Sequence, residues 1–429
     1  MHLRFLLPCL LLPMLPAQVA LGNLAKLARD RAERARPAQE KALEPFWADL
    51  ALDYRNNQQF LDQRITQVAA LGDSVVPMLL EKLQPAQGGE TARNLAGNCR
   101  RVIEKLDPSS FVDALVELVN GKSETARQEA IRLLGFANTP ASIQVLCDLV
   151  ERTAEEDRRL VLRSLRLLKA AAAGPKVVGL LGSSDRQVRE DVLNYLVVAR
   201  PASVVDTVIQ ALSTEKDARL LPYYIDYFAN SVTNHDGAAR ALLALIGERL
   251  DWQDTRRLVQ ALATVAPRDH EPTCRRLHEM LDAGEATALA VQAAVTLRSL
   301  GDRQGVTKLK RTLDQQLSKP QRKRDPALFE QRANLAFAIE EYGDAAADYE
   351  KILEFSDGLA MTRRAYIGLI RSEAHRKKVP NLIKAMKNSG MTTAEIEAIG
   401  VEDPVVQDSL GLDKVRSFLQ ALAKEQSPK

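Results

Sequence analysis

Residues 287–317, TALAVQAAVTLRSLGDRQGVTKLKRTLDQQL, place Ala290, Ala293, Ala294, Leu297 and Leu300 along one helical face. Gly301-Asp302 interrupts that helix, and Val306, Leu309 and Leu313 begin a second apolar face. The same sequence of helix, break and helix recurs along most of the chain at intervals of about thirty-odd residues. A hairpin of that size cannot bury its apolar face alone and must stack on others like it. The chain is therefore expected to be all-α, a right-handed superhelix of stacked helical hairpins. Aromatic residues make up 5% and charged residues 27%, with Leu, Ala and Arg dominant, which suits helices rather than sheets. A compact chain of 429 residues would split into two or three domains, whereas a solenoid core grows lengthwise.

The hairpin at 60–83, FLDQRITQVAALGDSVVPMLLEKL, aligns Leu61, Ile65, Val68 and Leu71 and breaks at Gly72-Asp73. Pro77 stands near the start of its second helix, where a missing N–H costs least. ALGDSVVPMLLEKL resembles the HEAT-repeat pattern, including the proline after the turn. The resemblance implies a HEAT-like, armadillo-like solenoid over residues 59–317, with eight or nine hairpins and a concave face that binds protein partners. Further hairpins are read at 92–119, 125–150, 157–181 and 187–212, and residues 218–282 keep the rhythm with weaker turns. Asp185, Asp217 and Asp254 stand near helix starts as expected N-terminal charges or caps. Residues 23–58 are expected to seal the N-terminal end of the stack, anchored by Trp47, Leu50 and Leu52. Trp252 is read as another packing anchor.

SKPQRKRDP, residues 318–326, is basic and carries two prolines, which marks a linker between two arrays hinged on each other. Beyond it, GDAAADYEKIL resembles the second half of a tetratricopeptide repeat, with Ala333, Ala345, Tyr349 and Ile352 at packing positions. Residues 365–386 resemble the start of another, with Gly368 at the close-packing position, and depart from the pattern at Val379-Pro380. This resemblance implies a tetratricopeptide-like module over 327–390 with a groove for a peptide. Residues 391–429 are then capping helices and a tail.

The first 22 residues tell a separate story. Arg4 precedes the apolar run Phe5–Leu12, and Ala20-Leu21-Gly22 offers the small residues a signal peptidase reads. The run is short for a membrane span of about 20 residues, and Pro8, Pro13 and Pro16 interrupt the segment. The expectation is a signal peptide and a periplasmic or secreted chain with no transmembrane span once mature; the alternative is an uncleaved anchor. Formal net charge is +3, and losing Arg4 leaves the mature chain near neutral, which disfavours nucleic acid as a partner.

Cys99, Cys147 and Cys274 remain after the signal, with no CxxC, and are read as small core thiols, one disulfide being the alternative. His270, Cys274 and His278 have the i, i+4, i+8 spacing of a helical zinc face, but Pro272 puts His270 into the turn and no fourth ligand is in sight. No metal or cofactor is expected. Tyr223, Tyr224, Tyr227 and Phe228 gather aromatics into two i, i+4 pairs, either core or an exposed patch for a peptide or glycan. Arg363, Arg364 and Arg371 belong to a basic cluster that would attract an acidic partner or anionic surface if it is not simply a solvated face. GxSxG, HExxH, GxGxxG and EF-hand patterns are absent, and acidic residues are scattered. The sequence points to a non-catalytic exported scaffold for envelope or extracellular proteins. A HEAT-type lyase and a wall- or glycan-binding protein are the competing readings.

Overall fold

The computed structural model describes residues 37–83, 89–106, 111–121, 124–247, 250–283 and 287–426. The signal segment and the capping segment up to residue 36 lie outside the described residues. Every described element is a helix, and there is no strand among the described residues. Between residues 58 and 317 the described helices pair into eight hairpins. The chain forms two compact units, residues 1–201 and 202–429.

In unit 1, the first helices of successive hairpins lie side by side: Gln58–Ala69, Glu90–Glu104, Glu124–Ala137, Glu155–Leu167 and Arg186–Ala199. The second helices, Val76–Lys82, Val112–Val119 and Pro140–Arg152, form the other layer. The fourth second helix is broken into short turns, because Gly174-Pro175, Gly179 and Gly182 fall inside it. Thr139 caps Pro140–Arg152 through a capping box with Ser142, and Asp185 caps Arg186–Ala199 through the N–H of Gln187 at 2.8 Å.

Unit 2 repeats the plan. Leu221–Ser231, Trp252–Val265, Ala288–Ser299, Pro326–Ala338 and Leu359–His375 pack in succession as first helices. Val205–Thr214, Asp236–Leu243, Glu271–Asp282 and Gln304–Leu317 line the second layer. Tyr342–Phe355 and Val379–Asn388 are the second helices of the last two hairpins, followed by Thr393–Glu402, Pro404–Leu410 and Asp413–Gln426. Asp217 caps as expected. Asp254 is the acidic residue in the first turn of Trp252–Val265, while Asp251 is its cap, the Asp251 carboxylate accepting from the Asp254 N–H at 2.8 Å.

Nine intra-hairpin turns among the described residues carry one residue of positive φ. These are Gly72, Asn138, Lys169, Arg200, Asn234, Asp269, Gly301, Glu340 and Lys377, so the reversal recurs every 31 to 39 residues from Asn138 onward. A left-handed residue after a helix turns the chain back while satisfying the last carbonyls. Only two of the nine are glycine, which is why the turns at 169, 200, 340 and 377 leave little trace in the sequence. Five residues before three of these turns, a hydroxyl bonds a backbone carbonyl of the preceding hairpin. Ser164 donates to Ile131 O at 2.9 Å, Tyr195 to Ala170 O at 2.6 Å and Thr296 to Val259 O at 2.9 Å. Gly135 permits the first approach, since a Cβ there would sit 2.8 Å from Ser164 Oγ.

The segment 318–326 is a run of tight turns inside unit 2, not a hinge between two bodies. Helices on both sides of it pack together, and Arg332 beyond it bonds Asp314 before it at 2.7 Å. Its prolines and charges reflect a solvated turn. Gly368 lies face to face with the Tyr349 ring, as its close-packing position requires; any Cβ there would enter the ring.

Candidate protein-binding grooves

In unit 1 the second helices Val112–Val119 and Pro140–Arg152 diverge over the first helix Glu124–Ala137, leaving a cleft of about 510 Å³. Val116, Val119, Val145 and Leu149 form its apolar walls. Arg127, Arg152 and Asp157 supply charge at one end. Arg127 Nε donates to Asp157 Oδ2 at 2.6 Å and ties two neighbouring first helices together. The other oxygen, Asp157 Oδ1, is buried and has no hydrogen-bond partner among the described residues. A buried acceptor left without a donor costs about 1–3 kcal/mol. Asp148 on the rim is held below the usual carboxylate range by the Lys176 ammonium at 2.6 Å and by Gln144.

Unit 2 offers two further clefts near its C-terminal end. One, of about 360 Å³, lies between Tyr342–Phe355 and Val379–Asn388 and presents Glu350, Glu354 and Glu373 opposite Lys384. The other, of about 460 Å³, is walled by Val379, Leu382, Val405 and Leu412 with Lys377 and Lys378 at its edge. All three clefts lie along second helices or at their ends, and each mixes an apolar wall with a few charges. That composition suits side chains of a peptide and offers no converging set of nucleophile, base and acid.

The aromatic cluster is not a surface patch. Tyr224, Tyr227 and Phe228 are wholly buried in the core of unit 2, and only Tyr223 is half-exposed. The helix Leu221–Ser231 packs on Trp252–Val265, so Tyr224, Tyr227 and Phe228 turn inward. Trp252 shows the opposite error: it is 60% exposed at the first position of its helix and anchors nothing. The arginines of the basic cluster are engaged by acids on neighbouring helices. Arg363 pairs with Glu395 at 2.5 Å, Arg364 with Glu330 at 2.6 Å and Arg371 with Glu402 at 2.6 Å. These pairs staple helices, and exposed staples of this kind are each worth about 0–1 kcal/mol. Arg363 draws Glu395 down to about 2.

The histidine–cysteine pattern dissolves in the same way. His270 Nε2 bonds Asp236 at 2.9 Å and its Nδ1 meets Thr273 Oγ1 at 2.7 Å, while His278 turns to Asp302 at 2.6 Å. Arg240 and then His270 hold Asp236 below the usual carboxylate range. His235 and His375 also face aspartates, Asp206 at 3.8 Å and Asp403 at 3.2 Å, so all four described histidines serve as ties within unit 2. Among the described residues no group of three His, Cys, Asp or Glu could hold a metal ion.

All three described cysteines are free thiols. Burial pushes Cys99 up to about 12, and Cys274 is the least buried of the three. Ellman's reagent at pH 8 is therefore expected to titrate Cys274 first and to leave Cys99 untouched until denaturant is added. Mass mapping of the labelled thiols checks this, and early labelling of Cys99 would contradict the burial.

No described helix is long and apolar enough to cross a membrane. No curated protein matches this sequence. Among solved structures, that of Kap95p with RanGDP is similar at 12% identity and a TM-score of 0.47, over 86% of this chain. The alignment spans 57% of that structure's own chain. The crystal structure of an engineered protein is similar at 16% identity and a TM-score of 0.34, over 91% of this chain and 96% of that one. The family model that matches is that of HEAT repeats, over residues 76–166, a segment that contains the whole unit 1 cleft from Val116 to Asp157.

Proposed function

We propose that the protein is a non-catalytic scaffold, exported through its N-terminal segment, that holds one or more envelope or extracellular proteins. The observation that carries the reading is the cleft between Val112–Val119 and Pro140–Arg152, with its apolar walls and the charges of Arg127 and Arg152 beside them. A partner segment lays apolar side chains against Val145 and Leu149. The tetratricopeptide-like hairpins at 326–388 supply a second groove, where Gly368 against Tyr349 supports that reading of the repeat. The non-catalytic part is supported by the histidines, each of which serves as a tie to an aspartate. No cofactor enters this mechanism, and binding alone is the activity.

Leu149→Arg fills the cleft with charge at a half-buried position. Crosslinking in the native envelope, read by mass spectrometry, is expected to recover a stoichiometric protein with the wild type and to lose it with Leu149→Arg. Retention of that partner by Leu149→Arg would move the binding surface elsewhere, and recovery of wall polymer with no protein would overturn the scaffold reading. Sequencing the N-terminus of the mature chain tests export separately: the expected cut lies near Gly22.

A further inference from the structure

The outer edge of unit 1 carries a feature the clefts do not explain. Phe136, Leu167 and Val198 are exposed by 49%, 56% and 38%, and each stands two residues before the left-handed residue of its turn. They occupy one register position in three consecutive first helices, Glu124–Ala137, Glu155–Leu167 and Arg186–Ala199, which pack side by side. Adjacent packed helices lie about 8–10 Å apart, so the three side chains form a row across the helix ends.

The row is bordered by cations. The turn residues Lys169 and Arg200 are exposed along one side, and Arg163 is exposed one helical turn before Leu167. None of the three has an ion-pair partner among the described residues. Arg132, one turn before Phe136, shares Glu129 with Arg100. Residues 130–147, 158–184 and 192–201 contain no aspartate or glutamate at all. The nearest acids are accounted for: Asp157 and Asp191 pair with Arg127 and Arg159, and exposed Glu104 ends the row at the preceding helix. This contrasts with unit 2, whose arginines at 363, 364 and 371 are all met by carboxylates.

We propose that this ridge is a docking surface for an extended acidic segment of a partner protein, with an apolar side chain at every third position. An extended segment of polyproline II type has three residues per turn and advances about 3.1 Å per residue, so every third side chain returns to the same face and falls on successive members of the row, while the carboxylates between them reach Arg163, Lys169 and Arg200. Charge complementarity selects the acidic partner, since the unpaired cations Arg163, Lys169 and Arg200 along the border repel basic chains and attract anionic ones. The half-sunken apolar side chains favour a narrow extended peptide over a bilayer: a flat lipid surface meets the long arginine and lysine side chains first. The ridge is separate from the cleft, so it stands or falls independently of Leu149 and Asp157.

The test is fluorescence anisotropy with the full chain and a labelled synthetic peptide of glutamates with leucine at every third position. A matched peptide with lysines for glutamates and phosphatidylserine vesicles serve as comparisons. The glutamate peptide is expected to bind about tenfold or more tightly than the lysine peptide, and Leu167→Asp or the pair Arg163→Glu and Lys169→Glu to weaken it by about tenfold. All three positions are exposed, so thermal unfolding of the variants is expected to match the wild type, and Leu149→Arg is expected to leave this binding intact. Equal binding of both peptides, or unchanged binding by Leu167→Asp, overturns the proposal. Vesicle binding without peptide binding, or self-association that Leu167→Asp abolishes, overturns it in favour of a membrane or a second copy.

Discussion

Replacing Arg332 with methionine is expected to destabilise unit 2 by about 3–5 kcal/mol, the usual result of stranding one member of a buried charge pair. Arg332 grips Asp348 with two parallel hydrogen bonds, Nε to Oδ2 at 2.8 Å and Nη2 to Oδ1 at 2.7 Å. Its third nitrogen reaches Asp314 at 2.7 Å, so one guanidinium joins helices on both sides of the 318–326 turn. The hydrogen bond to Asp348 foremost raises the arginine's already high pKa, so the guanidinium stays charged throughout the accessible range. Asp348 is buried, whereas Asp314 is mostly exposed and can return to water. The loss therefore comes from Asp348. Methionine keeps the aliphatic stem and removes the charge, the fork and the guanidinium's place over the Phe329 ring, 5.4 Å from its centroid. Urea unfolding followed by a signal from unit 2 reads the effect, because two units need not unfold in one step. Adding Asp348→Asn should recover most of the loss by removing the stranded charge. A single-variant loss under about 1 kcal/mol would mean that the pair behaves as a surface bridge.

The hairpin period, the break at Gly72-Asp73, the break at Gly301-Asp302 and the tight approach at Gly368 were legible because glycine announces a turn or a contact by itself. The turns at Lys169, Arg200, Glu340 and Lys377 were not, since a left-handed long side chain leaves no compositional mark. What sequence cannot show is which face of an amphipathic helix meets its neighbour. Tyr223 and Tyr224 differ by one position, and the rotation of one helix against the next buries the second and leaves the first half-exposed. Charge runs mislead for a related reason: Arg363, Arg364 and Arg371 look free until Glu330, Glu395 and Glu402, about thirty residues away in sequence, come alongside. The cleft wall at Val145 and Leu149 reads in sequence as ordinary core, and only the divergence of two second helices opens it. The exposed row at 136, 167 and 198 was visible in principle, as an apolar residue repeating in register beside Arg132 and Arg163. It is found by aligning hairpins on their turns, and two of those turns were the unmarked ones.

Phe228→Ala is expected to cost about 3–5 kcal/mol, the range for truncating a buried aromatic side chain. The ring is fully buried and lies 5.4 Å from the Tyr227 ring in a tilted arrangement, with Tyr224 and Ile225 buried beside it. Losing it removes apolar transfer energy and leaves a cavity between Leu221–Ser231 and Trp252–Val265 that two packed helices cannot close without disturbing their neighbours. In a solenoid each hairpin rests on the next, so such a defect is felt first by the adjacent repeats and propagates. Hydrogen exchange is the informative measurement: amides of 221–231 and 252–265 should lose protection together, while those of unit 1 hold theirs. Tyr223→Ala in the same helix should change stability by only about 0.5 kcal/mol, because its side chain is half-exposed. If the two variants cost the same, the helix is rotated from the orientation described, and the aromatic cluster returns as a surface. If Phe228→Ala alone unfolds the region while partner recovery by unit 1 persists, the aromatics belong to the scaffold's core and the binding chemistry lies at the clefts.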